Sequence, residues 1–276
     1  MPEAWSSSLL VALRKQLIYA GPTVVNRNYE GEISAAGDTV RITSIGRPSI
    51  GTYVPNQTVI VPQNLQTGQR TLVVDQCKFW AFEVDDVDAR QQLGTFITES
   101  MGEAAYGLAD IIDQYVAAMY TAIPSGNSVG TVTIGTSYNK VYDDVLVPLK
   151  IRLDELNVPQ EGRYVVMPAW VHGSLLRDDR FVRADASNDP SALRNGFVGR
   201  AAGFDIMMSN NAPNPSGNQF VVQAGTNAAI TFADQINKTE AYRPESSFSD
   251  AVKGLAVYGS RVIRPDSLVM ATVAKS

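Results

Sequence analysis

One stretch decides the fold of this chain: DDVDARQQLGTFITESMGEAAYGLADIIDQYVAAMYTA, which runs from Asp85 to Ala122. Its apolar residues recur at the three- and four-residue spacing of one helical face; they are Phe96, Ile97, Met101, Ala104, Ala105, Leu108, Ile111, Ile112, Tyr115, Val116 and Met119. Aspartates crowd the start, where carboxylates cap free amides and meet the positive end of the helix dipole. Pro124, Ser125 and Gly126 end the pattern. The stretch predicts one long helix.

The length and the glycines of this helix suggest what it supports. From Asp88 to Tyr120 it would be about 50 Å long. Gly94, Gly102 and Gly107 each cost about 1 kcal/mol relative to alanine. Burial of about ten apolar side chains, at about 1.5 to 3 kcal/mol each, outweighs that cost. We therefore interpret the glycines as positions where another backbone crosses closely.

The composition sets limits on function. With 276 residues, 45% of them hydrophobic, the chain can bury a real core in one large domain or two. A net charge of −5 argues against a protein that grips nucleic acid through counterion release. The single cysteine, Cys77, excludes an internal disulfide and a multi-cysteine metal site and suits a reducing cytoplasm. We expect no membrane span, because no apolar run approaches the required length, and no signal peptide in Met1 to Ala20.

The segments before the long helix suggest contacts with other subunits. Ser8 to Ala20 reads as a short amphipathic helix, in which Leu9, Leu10, Leu13, Leu17 and Ile18 lie opposite Arg14 and Lys15. Strands are predicted at Tyr29 to Ile33, Thr39 to Ile45 and Phe79 to Val84. Between them, Gly46 to Gln76 is too long for a plain connection and too rich in valine and isoleucine for disorder. Because an isolated two-stranded ribbon is marginal in water, this segment predicts a projecting β-ribbon that lies on a neighbouring subunit.

The second half of the chain alternates strands and helices. A helix is predicted from Tyr138 to Asn157 with a kink at Pro148, and a short helix from Trp170 to Leu176. The predicted strands are Thr131 to Ile134, Tyr164 to Met167, Phe204 to Ser209, Phe220 to Ala224, Ala228 to Phe232, Ala251 to Arg264 and Leu268 to Ala274.

Catalytic chemistry has no positive support in the sequence. His172 is the only histidine, and no serine lies in a G-x-S-x-G turn. Glu83, Asp85, Asp86 and Asp88 lack the glycine and terminal glutamate of a calcium loop, and we interpret the aspartates as helix caps. We expect no enzyme, no cofactor, no metal site and no catalytic residue. A carboxylate-based hydrolase using Glu99 and Glu103 stays open as a distant alternative, although their spacing of four is typical of a solvated helix face.

Six segments, in order, resemble the major capsid proteins of tailed bacteriophages with the Hong Kong 97-type fold. They are NRNYEGEI (Asn26 to Ile33), GDTVRI (Gly37 to Ile42), VDDVD (Val84 to Asp88), EAAYGLAD (Glu103 to Asp110), VPQEGRYVVMPAW (Val158 to Trp170) and NGFVGRAAGFDIMMSNN (Asn195 to Asn211). Each is weak alone, but the ordered set is specific and covers most of the chain. The chain is most similar to the short, scaffold-assembled coat proteins.

The resemblance implies an α+β fold in which a long spine helix crosses a peripheral domain. The implied division is an N-terminal arm over 1–23, peripheral strands over 24–45, an extended loop over 46–76, the peripheral domain with its spine helix over 77–128, an axial α/β domain over 129–250, and peripheral C-terminal strands over 251–276. The arm would reach a neighbour and the loop would lie across an adjacent subunit. The axial loops would meet around five-fold and six-fold axes.

The resemblance also implies partners. Copies of the chain would self-assemble into hexamers and pentamers of an icosahedral virion shell around double-stranded DNA, without sequence-specific binding and without a membrane, in the host cytoplasm. A separate scaffolding protein, a portal protein and, in some relatives, a decoration protein would take part. Some relatives crosslink a lysine of the extended loop to an asparagine. Because no lysine lies between Arg47 and Gln76, we expect no such crosslink. We also expect no maturation cleavage of an N-terminal segment.

Five residues are our candidates for intersubunit contacts: Arg47, Tyr53 and Arg70 in the extended loop, and Leu13 and Leu17 in the arm. Exposed arginine and tyrosine side chains are common interface anchors, although solvation is an equally ordinary role for them. An encapsulin-like compartment, which would share the fold and enclose a protein cargo, stays open as the nearer alternative.

Overall fold

The computed structural model of the protein describes residues 17–28, 39–45, 50, 52, 55, 67–85, 96–135, 140–178, 199–245 and 249–275. Within these ranges the chain forms a four-stranded sheet, a six-stranded sheet, a two-stranded ribbon and three α-helices of seven residues or more.

The four-stranded sheet has the order β1-β10-β11-β4. Its strands are β1 (Val25–Asn26), β4 (Gln76–Asp85), β10 (Ile230–Tyr242) and β11 (Ser249–Val262). β11 pairs antiparallel with both of its neighbours, so that Leu255 faces Lys238 on one side and Phe79 on the other. β4 ends at Asp85, one residue beyond the predicted end of this strand at Val84, so Asp85 belongs to the strand.

The long helix is α1 (Phe96–Ala117), followed directly by a 3-10 turn (Ala118–Ala122). Most of the predicted stripe is buried: Met101, Leu108, Ile112 and Val116 are each at most 5% exposed. Ile111, which the stripe also included, is 43% exposed, so that part of the prediction is wrong. The predicted start at Asp88 lies outside the described residues, as does Gly94. Among the described residues, a Cβ at Gly102 or Gly107 would meet nothing within 4 Å, so no backbone of this part of the chain crosses closely at either glycine.

The six-stranded sheet has the order β5-β12-β9-β6-β8-β7. Its strands are β5 (Ser128–Ile134), β6 (Arg163–Met167), β7 (Arg200–Ala201), β8 (Phe204–Met208), β9 (Gln219–Thr226) and β12 (Leu268–Lys275). One face packs on α2 (Val147–Glu155) and α3 (Ala169–Leu175) through a cluster that includes Leu149, Leu153, Val165, Val171 and Val222. The other face contributes Tyr164 and Val166 to the cluster around α1.

Each of the two larger sheets draws strands from both sides of residue 250, the predicted boundary between the axial domain and the C-terminal strands. β10 precedes residue 250 and lies in the four-stranded sheet, whereas β12 follows it and lies between β5 and β9 in the six-stranded sheet. An alternating apolar pattern identifies a strand and its buried face but not the neighbours with which it forms hydrogen bonds. The division into domains stays a prediction.

The helix around Pro148 has the predicted irregularity, placed slightly earlier. Residues Val141–Leu146 form a wide π-helical turn, and Pro148 stands in the first turn of α2. Proline has no N–H to donate and its ring clashes with the carbonyl four residues before it. The residue four positions before Pro148 is Asp144, which belongs to the π-helical turn. The wider turn therefore lies at the point where the proline ring would otherwise clash.

The ribbon is formed by β2 (Thr39–Ile45) and β3 (Thr67–Val73), antiparallel, with Thr39 opposite Val73 and Ile45 opposite Thr67. β2, in the predicted peripheral strands, therefore pairs along its whole length with β3 of the predicted extended loop. The described base of the ribbon is supported by its own subunit, because Val40, Ile42, Leu72 and Val74 pack against Ala233 and Val257. The tip lies almost wholly outside the described residues, and so does the predicted strand at Tyr29 to Ile33.

Candidate intersubunit surfaces

The N-terminal segment is fixed to α1 by one buried carboxylate. Asp113 is 3% exposed. It accepts the backbone N–H of Ile18 at 3.0 Å and that of Ala20 at 3.1 Å, and a further bond from the side chain of Asn211 reaches it from the axial domain. Burial raises the pKa of Asp113, and these hydrogen bonds oppose that rise. Asp113 therefore joins three parts of the chain at one point.

Arg27 fixes the other end of this N-terminal segment. Arg27 donates to the carbonyl of Ala20 at 3.1 Å and pairs with Asp234 on β10 at 3.2 Å. Its guanidinium also lies 5.0 Å from the centre of the Phe232 ring, within range of a cation–π interaction. Leu17, at 8% exposure, belongs to the same core cluster. The structure thus places Leu17 in contacts within its own chain.

Two buried amides bond segments that are distant in sequence. Gln223, on β9, donates to the carbonyl of Ala117 at the end of α1 at 2.6 Å. Asn127, just before β5, donates to the carbonyls of Pro265 and Leu268 at 3.0 and 3.2 Å. Both side chains are nearly inaccessible to water. Since a buried polar group left without a partner is costly, the Gln223 bond fixes the end of α1 on the six-stranded sheet, and the Asn127 bonds fix the start of β5 beside the start of β12.

A buried arginine shapes the turn of the VPQEGR segment. Arg163 is 3% exposed and donates to the carbonyls of Pro159 and Val158 at 2.8 and 2.6 Å. It also pairs with Asp154 at the end of α2 at 2.7 Å. The arginine therefore ties the end of α2 to the start of β6.

The outer face of the four-stranded sheet exposes apolar side chains. Phe79 on β4 is 83% exposed, its cross-strand neighbour Leu255 is 40% exposed, and Tyr242 on β10 is 45% exposed. We name these three residues the outer apolar patch. β4 is the edge strand of the sheet in the described part of the chain. A long edge strand with an exposed aromatic residue is a template for association with another chain.

Of the five predicted contact residues, the structure describes two. Arg70, exposed on β3, donates to the carbonyl of Val262 at 3.1 Å, so its guanidinium has a partner in its own subunit. Arg47, Tyr53 and Leu13 lie outside the described residues. The intersubunit role of all five stays a prediction.

Sequence reasoning missed the buried polar residues that join distant segments. For Asp113 a signal was present, since a charged residue lies between the apolar Ile112 and Val116 on a helix. Gln223 is the one polar side chain in the run FVVQAG, which is a similar signal. Asn127 and Arg163 carry no such signal, because most of their partners are backbone carbonyls, which every residue has.

The candidates for chemistry are not brought together. His172 is half-buried on α3, and burial lowers its pKa. Among the described residues, no three histidine, cysteine or carboxylate side chains are grouped closely enough to hold a metal ion. No helix in the described ranges has the length and apolarity needed to cross a membrane.

Comparison with known proteins first identifies the class. The solved structure from Mycobacterium phage Che8 is 30% identical, matches over 92% of this chain and 90% of its own, and has a TM-score of 0.75. The mature capsid of bacteriophage PhiM1 is 16% identical over 90% of this chain and 87% of its own, with a TM-score of 0.70. The virus-like particle from Pyrococcus furiosus is 15% identical over 98% of each chain, with a TM-score of 0.56. The fold is the Hong Kong 97-type shell fold.

The family model described as phage capsid protein matches residues 78–271. The chain belongs to this family: it is a structural coat protein of a bacteriophage virion, and not an enzyme. The comparison with curated protein sequences gives no match.

Proposed function

We propose that this protein is the major capsid protein of a tailed bacteriophage and that it assembles into hexamers and pentamers of an icosahedral shell around double-stranded DNA. The observation that carries the assembly proposal is the outer apolar patch. A monomeric protein gains nothing from an aromatic side chain that is 83% exposed on an edge strand. A shell subunit covers such a surface with its neighbours.

The extended loop, residues 46–76, supplies the second contact. Its base is held by its own core, so the tip is presented on a rigid support. In the shell, Arg47, Tyr53 and Arg70 contact the adjacent subunit. Charge reversal at Arg47 and Arg70 should therefore reduce assembly more than it reduces the stability of the subunit. Normal assembly of both variants would remove them from the interface.

A separate scaffolding protein directs closure of the shell, a portal protein occupies one vertex, and DNA is packed against a wall of net negative charge. The net charge of −5 supports an inner surface of the shell that does not bind the packed DNA tightly. The absence of lysine between Arg47 and Gln76 supports a shell without loop crosslinks. Denaturing electrophoresis of purified virions tests this: the protein should run at its monomer mass of 29.9 kDa, and a ladder of linked subunits would contradict the proposal.

The experiment that tests assembly compares two neighbouring residues of β4. Phe79→Ser removes the most exposed residue of the outer apolar patch, whereas Lys78→Ser changes an exposed residue of the same strand without removing apolar surface. Light scattering and negative-stain microscopy, with and without a coexpressed scaffolding protein, should show closed megadalton particles for the wild type and Lys78→Ser. Phe79→Ser should remain small. A wild-type chain that stays monomeric under both conditions would overturn the proposal.

Nucleic-acid content separates the proposed shell from an encapsulin-like compartment. The similarity to the Pyrococcus furiosus particle, at 15% identity, concerns the fold alone. Shells isolated from infected cells should contain double-stranded DNA protected from nuclease. An enclosed enzyme in place of DNA would favour the compartment.

A further inference from the structure

Three buried polar side chains lie where distant parts of the chain meet at the second half of α1. Tyr19 belongs to the N-terminal segment, Tyr164 to β6 and Gln223 to β9. All three are 0% exposed. Tyr19 and Tyr164 pack in the same core cluster as Ala117 of α1, and Gln223 donates to the carbonyl of Ala117. We name Tyr19, Tyr164 and Gln223 the buried polar junction.

The register of the six-stranded sheet brings Tyr164 and Gln223 together. Tyr164 lies opposite Gly225 on the neighbouring antiparallel strand. Gln223, two residues before Gly225, is therefore the diagonal neighbour of Tyr164 on the same face of the sheet. Diagonal neighbours are within reach of one another when their side chains are long or aromatic.

The hydroxyl of Tyr19 reaches the junction from the N-terminal segment. Its backbone is held against α1, because N–H groups of residues 18–20 donate to Asp113. Burial raises the pKa of Tyr19, and the charges of Asp113 and Tyr164 raise it further. The Tyr19 hydroxyl therefore lies near both of these groups. The junction thus gathers two hydroxyls and one amide oxygen in the core.

These three polar atoms have no hydrogen-bond partner among the described residues: they are Oη of Tyr19, Oη of Tyr164 and Oε1 of Gln223. The orientation of the Gln223 amide is fixed, because its Nε2 donates to a carbonyl, which cannot donate in return. A buried hydroxyl or amide oxygen without a partner is costly, and native proteins nearly always supply one. Two hydroxyls and one amide oxygen match the number of hydrogen bonds that a buried water typically makes.

We propose that the buried polar junction is a binding site for ordered water, which bridges the N-terminal segment, β6 and β9 beside α1. A single water molecule serves all three atoms when it accepts from both tyrosine hydroxyls and donates to Oε1 of Gln223. Water is then a structural part of the connection between the N-terminal segment and the six-stranded sheet. The site forms in the folded subunit, so it does not depend on assembly of the shell.

A double-mutant cycle on the unassembled subunit tests whether the two hydroxyls share a water. Tyr19→Phe and Tyr164→Phe should each raise the unfolding equilibrium constant about threefold to tenfold in urea denaturation, because a bridged hydroxyl is lost. The effect of the double variant should be well below the product of the two single effects, since one water serves both groups. Single variants at least as stable as the wild type would show that the hydroxyls have no bond to lose and would overturn the proposal. Effects that multiply would also overturn it.

The matched control is Tyr258→Phe on β11. The hydroxyl of Tyr258 is also buried without a partner among the described residues, but its electrostatic neighbours are Tyr115 and Asp75. When Tyr258→Phe is combined with Tyr164→Phe, the two effects should multiply, because the hydroxyls share no water. Equal coupling in this pair would assign the non-additivity to the core as a whole and would contradict a shared site.

A high-resolution density map of the crystallised subunit or of the assembled shell gives the direct test. It should show a separate peak within about 2.5 to 3.2 Å of the two tyrosine oxygens and of Oε1 of Gln223, the range of hydrogen-bond lengths. A junction without such a peak would overturn the proposal. So would direct hydrogen bonding between the two hydroxyls, which could produce the same coupling without water.

Discussion

Gln223 of the axial sheet donates a 2.6 Å hydrogen bond to the backbone carbonyl of Ala117, where the long helix α1 ends. The bond spans 106 residues of sequence and is fully buried. Near this bond, Tyr164 of the sheet packs in one apolar cluster with Leu108 and Ile112 of the helix. The position of the helix relative to the axial domain is therefore fixed by a directional contact as well as by apolar packing.

Gln223→Leu should destabilise the subunit by about 1 to 3 kcal/mol, because the carbonyl of Ala117 would lose its side-chain donor in a site closed to water. Urea unfolding of the unassembled chain measures this loss. The matched control is Gln114→Leu, since the amide of Gln114 donates to Asp110 at 2.8 Å on the exposed side of α1. That change should stay within about 0.5 kcal/mol. Equal losses in both variants would mean that the buried bond contributes nothing specific.

The ionisation of Asp113 should make the stability of the subunit fall as pH rises. Burial raises its pKa above the ordinary 3.8, although backbone N–H groups of Ile18, Tyr19 and Ala20 and the side chain of Asn211 oppose the rise. The folded chain therefore binds this proton more tightly than the unfolded chain. The contribution of Asp113 to the unfolding free energy falls as pH rises from 3.8 through the folded-state pKa, and is constant above it.

Asp113→Asn removes this titration while keeping an oxygen acceptor. The unfolding free energy of the wild type minus that of Asp113→Asn should thus decrease with rising pH across the window above 3.8. Asp113→Ala should be less stable than the wild type at every pH, by about 1 to 3 kcal/mol, because the N–H groups lose their acceptor. Tyr19 faces the same carboxylate, but its pKa is raised by burial well beyond this range and does not contribute. Parallel pH profiles for the wild type and Asp113→Asn would contradict the assignment.

Local patterns predicted several elements of this fold, although the strand predicted at Ala228 to Phe232 in fact spans Ile230–Tyr242. β2 has the predicted bounds, Thr39–Ile45, because Val40 and Ile42 alternate with polar residues and are buried. The buried face of α1 follows from the spacing of its apolar residues for the same reason. In both cases one face of one element must leave water, and the sequence within that element specifies which face.

Contacts between distant segments could not be predicted in this way. β12 and β11 have similar apolar patterns, yet they lie in different sheets. Backbone N–H groups of residues 18–20 donate to Asp113, and every residue except proline has such a group. The residue types at 18–20 therefore do not predict the contact. The outer apolar patch was missed because an alternating strand pattern does not distinguish an exposed Phe79 from a buried one.

Arg163 should show how much a buried guanidinium contributes to the axial domain. Three of its nitrogens bond to Val158, Pro159 and Asp154 at 2.6 to 2.8 Å. Lysine keeps the charge but presents a single nitrogen that cannot reach three acceptors in this geometry. Arg163→Lys should therefore cost about 1.5 to 3 kcal/mol in the unfolding free energy, measured by urea denaturation. The same change at Arg200, whose pair with Asp205 is exposed to solvent, should leave the unfolding free energy almost unchanged. Similar losses at both sites would show that burial does not govern the effect.

Two glycine substitutions should change stability in opposite directions. A Cβ on Gly259 of β11 would meet the carbonyl oxygen of Val73 and lie 2.9 Å from the Cα of Val74. Because these are backbone atoms of the segment that supports the ribbon, they cannot rotate away, and Gly259→Ala should cost about 1 to 3 kcal/mol. At Gly107 of α1 nothing lies within 4 Å of the added methyl group, so Gly107→Ala should gain up to about 1 kcal/mol in the unassembled subunit. Thermal unfolding of both variants measures the two effects. A stabilised Gly259→Ala would mean that β3 and β11 separate easily, and the ribbon would then lack the rigid support on which its role in assembly depends.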